Sequence, residues 1–347
     1  MFRADIQVPG REPYVRVGTL AITKATKHMK KITLPGGRST SQLGLGCGPL
    51  HGGLLAAESR RLLDAAFEAG IRHFDVAPPY GLGLAEGVVG KAFAKRHAET
   101  TLTTKAGIAR PRRPLLISTI RTVVKPVLGR IPGWYAAAHR VRETAAPSGY
   151  FDPQFVRRSF AESLARLGRE RVDMFLLHEV EDAAVTPQLV ALLKEFESSG
   201  LAAAVGVGTL RRQAEAIARR FPEIATVQQF KWNAFEAPLP NDAESLFIIH
   251  GAVGPALARA GEIFAADPEA CSRWSAATDA DLADPAVLAD VLLGAAFAEN
   301  PNGLVLFWSH HQARIRRAAA VASNQAIIEA GARLTRTLRA QQQGNVR

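Results

Sequence analysis

Four polar residues sit at or just past the ends of short apolar runs: Asp75 in HFDVAPPYG, Tyr80 in the same segment, Lys105 in TLTTKAG and His178 in MFLLHEVE. A carboxylate, a phenol, an ammonium and an imidazole can move protons and hold charge. A phenol, with an ordinary pKa of about 10, is a poor acid–base group at neutral pH. An ammonium beside it favours the phenolate, and a carboxylate beside the ammonium offsets the cost of burying that cation. A lysine at a strand end is also a candidate Schiff-base nucleophile. Each residue alone has an ordinary explanation. Asp caps helices, Lys is solvated, and His packs in apolar strands. Their joint placement at the ends of consecutive runs is harder to dismiss.

Those runs belong to an alternating series. KITLPGGRSTS reads as a hairpin turned at Pro35-Gly36-Gly37. The pattern then predicts strands at Leu43–Cys47, Arg72–Asp75, Thr101–Lys105, Met174–His178, Ala203–Val207, Thr226–Gln229, Phe247–His250 and Leu304–Trp308. Helical patterns fall between them at Glu58–Gly70, Leu84–Lys95, Pro153–Leu167, Pro187–Ser199 and Arg211–Arg220. A long helical region, Val253–Glu299, is broken around Asp267 and Asp284, and helices follow at Gln312–Ala322 and about Gln325–Gln342. Eight strand–helix units in alternation imply a parallel sheet with helical crossovers. Their number and span predict an α/β fold, a (β/α)8 TIM barrel. In that fold the C-terminal ends of the strands converge on one pocket.

The expected organisation is a basic N-terminal extension, 1–31, a barrel over 32–322 and a helical tail over 323–347. The segment 108–150 is too long for an ordinary βα loop and reads as an insertion on the face where barrels keep their chemistry. A lid or substrate loop is one reading of it. Its part 115–135 is amphipathic and basic, so peripheral membrane contact is another. Trp134-Tyr135 offers a reach to substrate from there.

Composition excludes several classes. The 347 residues are 47% hydrophobic and 22% charged, which suits a globular core and not disorder. No apolar run approaches the ~20 residues of a membrane span. The N-terminus has no apolar signal region, and two cysteines cannot build a disulfide framework, so a cytoplasmic location is expected. Net charge is +11, concentrated in three stretches near the N-terminus, around 110–142 and toward the C-terminus. Nucleic-acid binding would rest on that charge alone, without an aromatic platform, and is not expected. GLGCGP and GVGTLR both fail the GxGxxG pattern at the last glycine, and no metal-ligand spacing is present.

The stretches GIRHFDVAPPYGLGLAEGVVGKAF, TTKAG, VRRSFAESLARLGRERVDMFLLHE and GLAAAVGVGT together resemble the aldo/keto reductase superfamily, over about residues 32 to 322. Within it the chain looks nearest to bacterial aldose or pyridoxal dehydrogenase-like members. The resemblance implies a barrel using NAD(P)H, with a catalytic tetrad falling on Asp75, Tyr80, Lys105 and His178. Tyr80 would be the general acid/base, Lys105 would lower its pKa, Asp75 would hold Lys105, and His178 would orient a carbonyl. The implied substrate is a small aldehyde, ketone or sugar.

The resemblance also implies cofactor contacts at Thr209, Gln229, Ser309 and Arg314. Gly208-Thr209 stands where the family commonly has Ser-Asn, and Gln229 matches a carboxamide-binding Gln. Trp308, Ser309, Arg314 and Ala318 stand where Lys, Ser, Arg and Asn are often found, so the Lys and the Asn are missing. Ile249 or His250 stands where an aromatic often stacks on nicotinamide. Arg314 can grip a 2′-phosphate in a fork, which favours NADP(H) over NAD(H). Two alternatives remain at this point: a nicotinamide-nucleotide-binding barrel without turnover, and a lyase using Lys105 as a Schiff base.

Overall fold

A computed structural model describes residues 29–111, 149–242 and 244–344. The N-terminal extension before residue 29, the membrane reading of 115–135 and Trp134-Tyr135 lie outside these residues. Elements are numbered in chain order through the described parts.

Strands β1 (Lys31–Thr33) and β2 (Ser39–Ser41) pair antiparallel, as the Pro-Gly-Gly turn predicts. Eight strands follow: β3 (Leu43–Gly46), β4 (His73–Asp75), β5 (Thr101–Ala106), β6 (Val172–His178), β7 (Ala202–Gly208), β8 (Val227–Lys231), β9 (Leu246–His250) and β10 (Leu304–Phe307). All eight pair in parallel in sequence order, and β10 closes on β3. The architecture is the expected closed (β/α)8 barrel.

Helices α1 (Ala56–Glu68), α2 (Ala85–Ala92), α3 (Pro153–Leu167), α4 (Pro187–Ser198) and α5 (Arg211–Arg220) cover the outside. Between β9 and β10 the long helical region, expected to break around Asp267 and Asp284, is three helices, α6 (Gly254–Ala266), α7 (Pro268–Thr278) and α8 (Pro285–Glu299). The breaks at Asp267 and Asp284 are N-caps. Each carboxylate accepts from a backbone amide two residues on, and each is followed by proline at the first helical position. Asp152-Pro153 starts α3 in the same way, and Thr186-Pro187 starts α4 with the Thr186 hydroxyl accepting from the Leu189 amide. Helices α9 (Gln312–Ala322) and α10 (Gln325–Gly344) complete the shell. Helix α8 is buried all round and needs a second cover. Helix α10 supplies it, packing on α8 and α7 through Ile327, Ala330, Leu334 and Leu338.

Element ends differ from the sequence expectation by a few residues. The first barrel strand stops at Gly46, short of Cys47. Helix α2 stops at Ala92, short of Lys95, where Phe93 leaves helical geometry and packs 1% exposed among core aromatics. Strand β8 runs to Lys231, past Gln229, because β9 pairs with it to its last residue.

The core has two compartments. One lies between strands and helices. The other fills the barrel, where Met174, Leu176, Val227, Ile248 and Leu306 meet Ile32 and Leu34 of the hairpin. The hairpin therefore stoppers the N-terminal end of the barrel and leaves the C-terminal end for polar groups. No described helix is long and apolar enough to cross a membrane.

Candidate active site

Alternation along β4, β5 and β6 sends Asp75, Lys105 and His178 into the barrel mouth, while Phe74 and Leu177 face the helices. The three inward groups are almost fully enclosed, at 2%, 1% and 8% exposure. Lys105 Nζ donates to Asp75 Oδ1 at 2.6 Å. Gln229, at the mouth end of β8, donates from Nε2 to the other Asp75 oxygen at 3.1 Å. Gly208 makes this possible. A side chain there would stand 3.1 Å from Gln229 Oε1 and 3.6 Å from Lys105 Cε.

Tyr80 comes from the loop after β4 and is half-buried. Lys105 Nζ lies 5.1 Å from its ring centroid, and His178 meets the ring edge-on at 5.7 Å. The four residues are thus brought together around one buried ammonium. Burial pushes the Tyr80 phenol above its ordinary value, and Lys105 pulls it down by less. The sequence reading, in which Lys105 lowers the phenol, has the sign of that interaction but not the net direction. Burial lowers the proton affinity of Lys105, yet Asp75 and Tyr80 carry it above the ordinary value. Burial raises the Asp75 carboxyl, opposed by Lys105 and Gln229. Burial first, then Lys105 and His250, keep His178 neutral well below its ordinary pKa.

Two buried polar atoms here have no protein partner, His178 Nδ1 and Gln229 Oε1. An unpartnered buried polar atom costs about 1–3 kcal/mol, so each has a hydrogen bond to make with a water or a ligand. The Thr209 hydroxyl donates to Val180 O at 2.8 Å, which leaves only its oxygen lone pair for a ligand. Ser309 is buried after β10, and its oxygen accepts from the His311 amide at 3.1 Å, leaving its proton to donate. Arg314 is exposed in the first turn of α9. Its neighbours Arg316 and Arg317 pair with Glu68 and Asp290, whereas Arg314 has no partner among the described residues. Ser309 and Arg314 share a loop and helix start, and neither touches the Asp75–Lys105 group.

Other conspicuous residues have settled places. His73 is buried between Thr101 and Thr103 below the mouth, at 2.9 and 3.1 Å. Cys47 is fully buried beside Asp75 and Lys105. Glu179 is exposed. Ile249 points away into the outer core, and His250 faces the mouth. Two buried charges next to the site, Glu86 and Arg110, have no sequence signal. Arg110 reads there as one cation among many, and Glu86 as one helical position.

The aldo/keto reductase family model matches residues 42–243. Over 172 residues the chain is 34% identical to a D-threo-aldose 1-dehydrogenase of Pseudomonas sp, covering 47% of each chain. Over 153 residues it is 33% identical to a pyridoxal 4-dehydrogenase of Microbacterium luteolum, covering 42% of this chain and 41% of that one. The chain therefore spans about half the length of these curated relatives or less. The holo form of an aldo-keto reductase from Bacillus halodurans superposes with a TM-score of 0.64 at 18% identity, covering 88% of this chain and 96% of that one. At that identity the likeness is one of fold. The matched stretch runs from β3 through β8 and includes Asp75, Tyr80, Lys105, His178 and Gln229; the chain belongs to the aldo/keto reductase family.

Proposed function

We propose that this protein is an NADP(H)-dependent oxidoreductase that interconverts a small aldehyde, ketone or sugar carbonyl with its alcohol, using Tyr80 as proton donor and acceptor. The observation that carries the reading is the Lys105–Asp75 pair buried beneath the Tyr80 ring. A bound nicotinamide would supply the hydride chemistry. The chain's own residues do the rest. Tyr80 holds its proton at neutral pH and passes it to the carbonyl oxygen. Lys105 stabilises the phenolate that remains. Asp75 keeps Lys105 charged and in place. His178, neutral, has one ring nitrogen able to donate to the same oxygen.

The mouth fits the cofactor on its own chemistry. Gln229 Oε1 is a buried acceptor without a donor, which suits a carboxamide NH2. Thr209 adds a lone pair. Arg314 is an exposed cation in the first turn of α9, and Ser309 lies in the loop that leads into that helix; the two residue types at a helix start suit a 2′-phosphate. Small sugar-like or carbonyl substrates are named for the curated relatives, and we extend that class to this chain. The charged state of Lys105 speaks against the Schiff-base lyase, whose nucleophile must be a neutral amine.

The test is a fluorescence titration with NADPH and NADH, using wild type, Lys105→Met and Arg314→Ala. NADPH should bind more tightly than NADH. Arg314→Ala should weaken NADPH by about 10–100-fold, the worth of one charge-assisted contact, and leave NADH unchanged. Lys105→Met should still bind nucleotide and fail to turn over a carbonyl panel. A folded wild type that binds neither nucleotide would end the reductase reading. Binding without turnover on a broad panel would favour a nucleotide-binding barrel instead.

A further inference from the structure

We propose that Glu86 and Arg110 form a buried positioning pair that sets Tyr80 against Lys105 and so governs proton donation rather than nucleotide binding. The proposal rests on the reading of Tyr80 as the proton donor.

Tyr80 is the one member of the group that no strand holds. It lies in a loop that then passes through three consecutive left-handed residues, Gly81 (φ 57°), Leu82 (φ 58°) and Gly83 (φ 88°). A side chain at Gly81 would stand 2.0 Å from the Leu50 carbonyl oxygen. Leu82 adopts this conformation against the preference of an L-residue, and such a turn persists only where its surroundings hold it.

Arg110, just past the end of β5, does the holding. Its Nη1 donates to Gly83 O at 2.8 Å and to Pro78 O at 3.3 Å. Those carbonyls flank Tyr80, two residues before it and three after. Its Nη2 donates to Glu86 Oε2 on α2, the helix that begins where the turn ends. The other Glu86 oxygen accepts from Thr104 Oγ1 at 2.7 Å. Thr104 is the outward-facing neighbour of Lys105 on β5. A continuous line of polar contacts therefore runs from the strand that carries Lys105 to both sides of the residue that Lys105 serves.

The pair is enclosed: Glu86 is 0% and Arg110 11% exposed. A buried ion pair is often no more stable than an apolar replacement of the same shape. Its worth here is geometric. The planar fork of arginine addresses three oxygens in fixed directions, which a lysine cannot do.

The titratable groups that face Tyr80 are Lys105 from β5, Asp75 from β4, Cys47 after β3 and His178 from β6. Position and through-space charge can therefore be told apart by sign. Removing the Glu86 charge would lower the phenol's pKa if charge alone mattered. It would raise it if Tyr80 drifts away from Lys105.

The experiment titrates Tyr80 by near-ultraviolet phenolate absorbance. Wild type, E86Q, R110M and T104V are each compared with the same protein carrying Y80F, which removes the other tyrosines from the difference. Turnover and NADPH affinity are measured alongside. E86Q and R110M should both raise the Tyr80 midpoint, by about one pH unit. Both should lower kcat by about 10–100-fold, the cost of a misplacement near 1 Å, with the NADPH Kd within about twofold. T104V keeps both charges and should shift the midpoint in the same direction by less. An E86Q midpoint that stays put or falls overturns the proposal, as does a loss confined to NADPH affinity. If neither charge variant folds, an unmoved midpoint in T104V overturns it. The titration needs no turnover. Variant midpoints that shift as expected, from a wild type that reduces no carbonyl, keep the pair and remove the reductase reading. Robust reduction with an unmoved midpoint does the reverse.

Discussion

As the proposed proton donor, Tyr80 would set the pH behaviour of the chemistry. Burial outweighs Lys105, so the phenol sits above its ordinary value and keeps its proton through neutral pH. Carbonyl reduction should therefore be flat from about pH 6 to 8 and fall in alkali, whereas alcohol oxidation should rise with pH. Initial rates followed through the absorbance of the reduced nucleotide check this. An oxidation rate that declines as pH rises past neutrality would move proton transfer to another group. Tyr80→Phe keeps the ring against His178 and removes the proton. It should lower kcat by about 10²–10⁴-fold with nucleotide binding intact.

At the scale of the element, the turn after β4 is the exacting piece. Gly81→Ala places a methyl 2.0 Å from a backbone oxygen and in a left-handed conformation. It should cost about 1–3 kcal/mol in stability, as overpacking does, read as a lower urea midpoint with an unchanged slope. Substitution at Gly37, also left-handed but with open space around it, should cost less. The helices between β9 and β10 behave differently. The starts of α7 and α8 are written locally, in Asp-Pro pairs, and are correct in the sequence to within a residue or so. Strand ends are less legible, because the last paired residue depends on a neighbour. Lys231 extends β8 only because His250 lies opposite.

At the scale of the whole molecule, three imidazoles are stored neutral inside the barrel. Burial lowers His73 to about 3 and His250 to about 4, and takes His178 well below its ordinary value. Each has a folded-state pKa below its unfolded one, so the unfolded chain binds more protons as pH falls through about 6.5. The stability from each is complete above that pH and is lost below it, by up to about 1.4 kcal/mol per pH unit per histidine. Asp75, Asp173 and Asp290, raised by burial, act in the opposite sense as pH falls from their raised values toward their unfolded ones. Urea midpoints measured from about pH 7.5 down to 4.5 should fall steeply, and His73→Gln should flatten the slope by about one proton. A midpoint independent of pH in that range would mean that these rings are charged or solvated in the folded protein.

The alternation, the number and order of strands, and therefore which polar residues stand at strand ends, can be read from the residue pattern. Those are local facts, since side-chain direction repeats every two residues in a strand and caps act within one turn. Hence Asp75, Lys105 and His178 were legible as a group, and Tyr80 by its place after Asp75. What those groups meet follows from the closed barrel. The orphaned acceptor on Gln229, the direction of the Tyr80 shift and the route from Thr104 through Glu86 and Arg110 to the Tyr80 turn all depend on residues distant in sequence. Burial and contact are properties of the closed barrel, so an arginine that counts in the sequence as one unit of a basic surface is, once the chain folds, an interior strut beside the site.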